Sequence, residues 1–264
     1  MEYIKTIKNN THLIIFLAKE TLAKVYEGMI LGIGWSILKP LIYIFIFWMF
    51  FLVGIRRSNP IGEHEYLLFL FAGVMPWFYL TDVITNTTRI VFTNASIIRN
   101  FNIPLVLFPI SEVLGKFIVH ILTMLFVGLF FMIRGGREYF PDIYYINFIY
   151  YFITLFFFST GCAYFISAIS FIIKDTRLFI SATMQGLFWL TPVVWVAQNN
   201  INLIEQIFNP LYYFLEGYRE TMLYETFFFE HNLYNIYIWL IIIFLNYFGI
   251  RMWYRLEATI LDNI

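Results

Sequence analysis

The most restrictive feature of this sequence is a series of long apolar stretches. Five of them hold about 20 or more mainly apolar residues, the length that an α-helix needs to cross a bilayer. They lie at roughly 30–54, 66–92, 105–133, 144–173 and 233–254. A shorter apolar stretch, 178–196, lies between charged residues before it and polar residues after it. The sequence therefore predicts one all-α membrane domain, 1–264, with six transmembrane helices.

The composition excludes several other classes of protein. Hydrophobic residues make up 61% of the chain and charged residues 13%, whereas about a quarter of a typical soluble domain is charged. The formal net charge is zero, which argues against nucleic acid as a partner. The single cysteine, Cys162, excludes an internal disulfide and a cysteine-based metal site. No metal site is predicted.

A further apolar and aromatic region, about 203–224, carries charges that a transmembrane helix avoids. It contains Glu205, Glu216, Arg219 and Glu220. Because backbone at membrane depth must be helical or shielded by protein, this region is predicted to be a re-entrant outer hairpin between the fifth and sixth spans.

The N-terminal region, 1–29, is predicted to be cytoplasmic and to contain an amphipathic helix over 13–27. Its apolar residues fall at helical spacing on one side, at Ile14, Leu17, Ala18, Leu22 and Val25. Charged residues mark the opposite side. Such a helix is predicted to lie in the membrane interface rather than across the membrane; a short soluble helix is the alternative.

Lysine and arginine residues predict the orientation of the chain. The predicted inner segments hold ten of them and the predicted outer loops hold five. By the positive-inside rule, both termini are therefore expected in the cytoplasm. The loop 197–232 then faces outward, and it is acidic.

The sequence lacks the motifs of an ATPase or of a known class of enzyme. The Gly115-Lys116 pair is followed by Phe117 rather than by the Ser or Thr of a P-loop. No nucleophile elbow and no convergent set of acids and histidines is present. The energy for active transport would therefore come from a partner subunit or from an ion gradient. A permease with a separate energising subunit, an ion-coupled secondary transporter and an integral membrane enzyme all remain open at this point.

Six short strings, ordered along residues 31–219, carry a resemblance to a known family. They are LGIGWSILKPL at 31–41, GVMPWF at 73–78, NASIIR at 94–99 with IP at 103–104, KD at 174–175, TPVVW at 191–195, and NPL at 209–211 with YR at 218–219. Together they resemble the membrane subunits of bacterial ABC exporters for polysaccharides, which export O-antigen, capsule and teichoic acid chains. Lys174 stands where that family usually has arginine.

The resemblance implies a homodimer of this chain that binds two copies of a soluble ATPase subunit. It implies export of a lipid-linked polysaccharide, with O-antigen as the first candidate, across the bacterial inner membrane. ATP and Mg would bind to the partner subunit, so that this chain would hold no cofactor and would not be an enzyme. Teichoic acid, capsule, lipid or drug export are the alternatives within the same superfamily.

The resemblance also implies a coupling helix that docks into the ATPase. Its residues would be Asn94, Ser96, Ile97, Ile98, Arg99 and Asn100. Asn94 and Ser96 are residue types that cap a short helix, Pro104 stops it, and Arg99 offers a charged contact. The alternative is a plain basic loop that follows the positive-inside rule.

Aromatic side chains are candidates for contact with a glycan, since ring faces pack against sugar C–H groups. The candidates for the channel and for an outer gate are Trp77, Phe78, Tyr79, Trp189, Trp195, Tyr212, Tyr213, Phe214 and Tyr218, together with Arg219. The alternative is that these residues occur there because Trp and Tyr favour membrane interfaces. For Arg219, a local ion pair with Glu216 is the plainer explanation.

Ionisable and amide residues inside the spans form an intramembrane polar face. Glu112, Lys116 and His120 share one side of the third span, because they are four residues apart. Asp82 and Asn86 form a similar stripe in the second span. Such residues usually face a cavity or a partner; a satisfied local pair of Glu112 and Lys116 is the alternative.

Overall fold

The computed structural model describes residues 2–32, 34–54, 63–135, 142–196 and 209–263, and the regular structure within these ranges is helical. This confirms the predicted all-α class. The α-helices of the described part are α1 (Glu2–Asn9), α2 (Thr11–Tyr26), α3 (Gly34–Gly54), α4 (Glu63–Thr87), α5 (Ile90–Thr93), α6 (Ala95–Asn100), α7 (Leu107–Gly135), α8 (Asn147–Ile172), α9 (Thr176–Leu190), α10 (Pro210–Arg219) and α11 (Asn232–Asn263). Short 3₁₀ helices cover Ile143–Ile146 and Phe228–His231, and one π-helical turn covers Glu220–Tyr224.

Four of the predicted spans have helices that are long and apolar enough to cross a membrane. They are Tyr66–Thr87, Leu107–Leu129, Ile143–Ile172 and Asn232–Asn263. They correspond to the predicted second, third, fourth and sixth spans. The second ends earlier than its predicted boundary at 92, because the chain turns at Thr88 and Arg89 before α5.

The predicted first and fifth spans, 30–54 and 178–196, are helical but shorter than expected. Helix α3, Gly34–Gly54, begins four residues after the predicted boundary at 30. Helix α9 has 15 residues and is therefore only about 22 Å long. It ends at Leu190 because Pro192 disfavours a helical conformation at Thr191, whose backbone is extended.

The amphipathic pattern of the N-terminal region correctly predicted α2. Ile14, Leu17 and Ala18 are buried, and they pack α2 against the first half of α7. The two helices approach so closely that a Cβ atom at Gly115 would lie 2.9 Å from the carbonyl oxygen of Ala18. Helix α2 therefore lies along the helical bundle.

The short helix α1 is attached to the bundle through Tyr3. Its hydroxyl donates a hydrogen bond to the Tyr164 hydroxyl at 3.3 Å. Burial raises the pKa of Tyr3 above its usual value.

Two hydrophobic clusters hold the helices together. The larger one fills the space among α4, α7, α8 and α10. The smaller one, called here the α6-side cluster, contains Leu17, Ile98, Leu105, Trp253 and Ile260. It joins both ends of the described chain to the segment that contains α5 and α6.

The last two long helices, α8 and α11, are tied by hydrogen bonds to main-chain carbonyls. The Asn246 amide donates to the Phe157 carbonyl at 2.9 Å, and the Trp253 indole donates to the Tyr164 carbonyl at 3.0 Å. These bonds satisfy polar groups inside an apolar pair of helices.

The described part of the predicted re-entrant region is a buried helix followed by the π-helical turn. In α10, eight of the ten residues are buried. The Asn209 side chain caps its first turn by accepting a hydrogen bond from the Leu211 amide at 3.1 Å. Residues 203–208 of the predicted hairpin lie outside the described residues.

Candidate functional site

A cavity of about 100 Å³ lies among α2, α3, α4 and α7. It brings together residues from two separate predictions. From the aromatic set it takes Phe78 and Tyr79, and from the polar face it takes Asp82, Lys116 and His120. Lys39 of α3 also lines the cavity.

Lys116 is the centre of a charged cluster at this cavity. Its Nζ atom lies 2.5 Å from Asp82 Oδ2 on α4 and 3.3 Å from Glu112 Oε1 on its own helix. The Asn86 amide donates to Asp82 Oδ1 at 2.7 Å. The predicted Glu112–Lys116 pair is thus present, but the shorter contact of Lys116 crosses to the neighbouring helix.

The two carboxylates of this cluster have different surroundings. The side chain of Glu112 is 8% exposed, whereas that of Asp82 is 53% exposed although it lies inside an apolar span. A half-exposed carboxylate at membrane depth requires water or a polar partner, because lipid tails cannot solvate it. The cavity therefore provides a polar surface within the helical bundle.

Two hydrogen bonds connect the cavity wall to the rest of the core. His120 Nε2 lies 2.7 Å from the Tyr218 hydroxyl of α10, and the Tyr79 hydroxyl lies 2.8 Å from Ser159 Oγ of α8. The Tyr79 and His120 rings are in contact, with centroids 4.9 Å apart. These contacts join α10 to the middle of α7.

Arg219, the last residue of α10 and next to Tyr218, is the centre of a second cluster. Its Nη2 atom donates to the Pro192 carbonyl at 2.6 Å and to the Val193 carbonyl at 3.0 Å. Its guanidinium carbon lies 3.7 Å from the centroid of the Phe69 ring. The predicted ion pair with Glu216 is present at 3.5 Å, but the carbonyl bonds are shorter. Arg219 therefore holds the chain segment after α9 against α4.

Gly73 makes this arrangement sterically feasible. A Cβ atom at this position would lie 2.5 Å from the Val193 oxygen and 2.7 Å from Arg219 Nη2. Either distance requires a displacement of the carbonyl or of the guanidinium. A residue with no side chain is therefore needed where α4 meets Arg219.

Three of the sequence strings that carried the resemblance meet in this cluster. Gly73 belongs to GVMPWF, Val193 to TPVVW, and Arg219 to the NPL…YR string. The last two strings are also joined by the Asn209 amide, which donates to Thr191 Oγ1 at 2.6 Å. The strings thus build one structural unit, which their separation along the sequence concealed.

Most of the predicted channel and gate aromatics are buried inside the folded chain. Trp77, Tyr79, Tyr212, Tyr213, Phe214 and Tyr218 are at most 5% exposed. Phe78 and Trp195 are half-buried, and Trp189 is 65% exposed. Of these residues, only Phe78 and Tyr79 line the cavity.

The predicted coupling segment contains a short helix, α6, attached by one buried side chain. Ile98 is buried in the α6-side cluster and Ile97 packs beside it. Ser96, Arg99 and Asn100 are exposed. The helix thus presents a polar surface while apolar residues hold it in place.

The predicted capping of α6 is wrong. Asn94 occupies the N-cap position, but its side chain makes no capping bond. Its amide instead donates to the Ile90 carbonyl of the preceding turn at 2.8 Å, and it is therefore directed away from α6. Ser96 lies within the helix. Pro104 follows three residues of extended or irregular chain after the helix ends.

Comparisons with known proteins agree with the resemblance that the six strings carry. An O-antigen export system permease protein RfbA from Klebsiella pneumoniae is 24% identical over 213 residues, covering 80% of each chain. The protein of the same name from Myxococcus xanthus is 22% identical over 228 residues, covering 84% of this chain and 82% of its own. The predicted resemblance is confirmed. No protein-family model matches the chain.

Sequence reasoning missed the contacts between helices at both clusters. Lys39 and Asp82 were both visible as charges within spans, but nothing in their spacing indicated that they share one cavity. The role of Gly73 was hidden in the same way. The available signal was charge: Lys116 and Asp82 have opposite charges and lie in successive spans, so that a pair between them was one arrangement to consider.

Proposed function

We propose that this chain is the permease subunit of an ABC-type exporter that moves a lipid-linked polysaccharide, O-antigen, across the bacterial inner membrane. Two copies of the chain form the path, and two copies of a separate ATPase subunit bind and hydrolyse ATP. The substrate class rests on the O-antigen export permeases to which the chain is similar.

The observation that carries a transport function is the half-exposed carboxylate of Asp82 inside the apolar segment Tyr66–Thr87. It pairs with Lys116 and still keeps 53% of its side chain exposed, and ionisable groups within spans usually face a cavity or a partner. Next to it, Phe78 supplies an apolar ring surface and Lys39 a hydrogen-bond donor. Hydroxyl groups and C–H faces of sugars match this combination. The cavity is therefore proposed as part of the glycan path.

The proposed topology has six spans, with α3 and α9 as the first and fifth. Helix α3 has 21 residues and is about 31 Å long, which suffices for the hydrocarbon core. Both termini are then cytoplasmic. Helix α9, which is shorter, is continued by the segment that Arg219 holds.

The outer hairpin is proposed to be re-entrant and to gate the path. Tyr218 of α10 contacts His120, which lies about 20 Å along α7 from its first residue. The first residue of α7 is on the proposed cytoplasmic side, so that His120 lies within the membrane. A contact at this level supports an outer segment that enters the membrane and returns to the same side. A re-entrant segment at this depth is tolerated because α10 is shielded by protein.

Helix α6 is proposed as the coupling helix that contacts the ATPase. Its exposed Ser96, Arg99 and Asn100 offer polar contacts, and Ile98 connects it to the α6-side cluster. A displacement of α6 by the ATPase would thereby reach the packed ends of α2, α7 and α11.

The proposal is tested by reconstituting the permease with its ATPase in vesicles and following a fluorescent lipid-linked O-antigen. Transport should require ATP and should stop when the ATPase cannot hydrolyse it. Transport that continues without ATP and collapses with an ionophore would contradict the proposal and would favour an ion-coupled transporter.

A further inference from the structure

The final helix, α11, is longer than a membrane span requires. It has 32 residues and is therefore about 48 Å long, whereas the hydrocarbon core is about 30 Å thick. The apolar pattern of the sequence ends near residue 254. The turns over 255–263 thus extend beyond the predicted span, on the side of the bundle that carries α6.

These extra turns pack against the segment that contains α6. Ile260 is fully buried, and Ile98 of α6 is buried in the same cluster. Neither contact is needed to span a membrane. The end of α11 therefore has a fixed position beside α6.

Between the two elements lies a cleft of about 450 Å³. One wall carries Arg99 and Phe101, and the other carries Glu257 and Leu261 of α11. Phe101 is 63% exposed and Leu261 is 54% exposed. Two apolar side chains and two opposite charges thus face one opening.

We infer that the end of α11 and helix α6 form one docking surface, and that the cleft receives a segment of the ATPase subunit. An apolar side chain of that subunit lies between Phe101 and Leu261, and charged groups beside it pair with Arg99 and Glu257. The inference rests on the proposed function, which supplies the ATPase as partner.

The charges of the cleft favour a polypeptide over an anionic lipid headgroup. A phosphate attracted by Arg99 would be repelled by Glu257, whereas a protein segment can carry both signs. The cleft is also continuous with α6, the surface proposed for the ATPase.

The test is site-specific photo-crosslinking in membranes that contain the full permease and its ATPase. A photoreactive phenylalanine analogue is placed at Leu261, at Arg99, or at Leu240 as the control. Leu240 lies on the same helix and is similarly exposed, at 61%. We expect a crosslink to the ATPase from positions 261 and 99 and none from position 240.

The outcomes separate this inference from the proposed function. A crosslink from position 99 without one from position 261 overturns the role of α11 and leaves the proposed function standing. If neither position crosslinks and the ATPase does not co-purify with the wild-type permease, the proposed function itself fails. A crosslink from 261 to a second permease copy also overturns the inference.

A substitution provides an independent measurement. Leu261→Arg should weaken the binding of the ATPase about tenfold, because it removes an apolar contact and crowds the cleft. Thr259→Arg, at an exposed position outside the cleft lining, is the matched control and should change binding little. Equal binding by the two variants would contradict the inference.

Discussion

Two buried cations in the described part of the core, Lys116 and Arg219, are satisfied in different ways. Lys116 is held by the side chains of Asp82 and Glu112. Arg219 is held mainly by main-chain carbonyls and an aromatic ring. An ammonium group suits the first arrangement as a compact point charge. The planar fork of the guanidinium can instead lie on the Phe69 ring while Nη2 donates to both carbonyls and Nη1 faces Glu216.

The two clusters differ in whether a molecule in the cavity can reach them. The partner Asp82 of the first cluster is half exposed, so that the cluster is open to the cavity. Arg219 is 2% exposed and its carbonyl partners are fixed by the backbone. We therefore propose that the Lys116 cluster serves transport, whereas the Arg219 cluster holds α10 in place.

The largest expected effect is at Arg219. Arg219→Ala should destabilise the permease by about 3–5 kcal/mol, because it leaves buried carbonyls and the Glu216 carboxylate without their partner. Arg219→Lys should recover little, since an ammonium group lacks the planar fork. Thermal unfolding in detergent measures both. Wild-type stability in Arg219→Lys would show that the fork geometry is unimportant.

The next effect concerns Lys116. Lys116→Met should cost about 3 kcal/mol, because Glu112 and Asp82 then lack a counter-charge. Adding Asp82→Asn and Glu112→Gln to this variant should restore most of the stability but not the transport. If the triple variant transports normally, the cluster has only a structural role.

A smaller effect is expected at Gly73. Gly73→Ala should cost about 1–3 kcal/mol, because the added methyl group overlaps the Val193 carbonyl. Gly186→Ala is the matched control, since nothing lies within 4 Å of its Cβ position, and it should be neutral or slightly stabilising. Unfolding temperatures that fall equally in both variants would refute the close approach at Gly73.

The smallest effect on stability is expected for Asp82→Asn. The side chain is half exposed, so that its ion pair is partly screened and its loss should cost less than about 1 kcal/mol. Transport should nevertheless fall several-fold, which the vesicle assay measures at equal amounts of folded protein. A large loss of stability with unchanged transport per folded molecule would reverse the roles assigned to the two clusters.

Features that depend on one chain segment could be predicted from the sequence, whereas contacts between distant segments could not. Four spans follow from the length of apolar stretches, and the Glu112–Lys116 pair follows from helical spacing within one segment; both were predicted. The end of α9 was missed, because the fifth span was predicted to continue to residue 196 although Pro192 is a local signal for an earlier end. The contacts of Lys116 with Asp82, and of Arg219 with the Pro192 carbonyl, depend on which helices are neighbours. Spacing within one chain segment does not contain that information.

The measurement that tests the central claim most directly is the access of water to position 82. The native Cys162 is buried, so that an introduced cysteine can be labelled selectively. Asp82→Cys should react with a charged thiol reagent and be protected by the lipid-linked glycan. Ile118 of α7 is exposed on the surface of the helical bundle, where lipid would cover it, so that Ile118→Cys should not react. An unreactive thiol in the Asp82→Cys variant, or equal reaction in the Ile118→Cys variant, would contradict a polar transport path at this cavity.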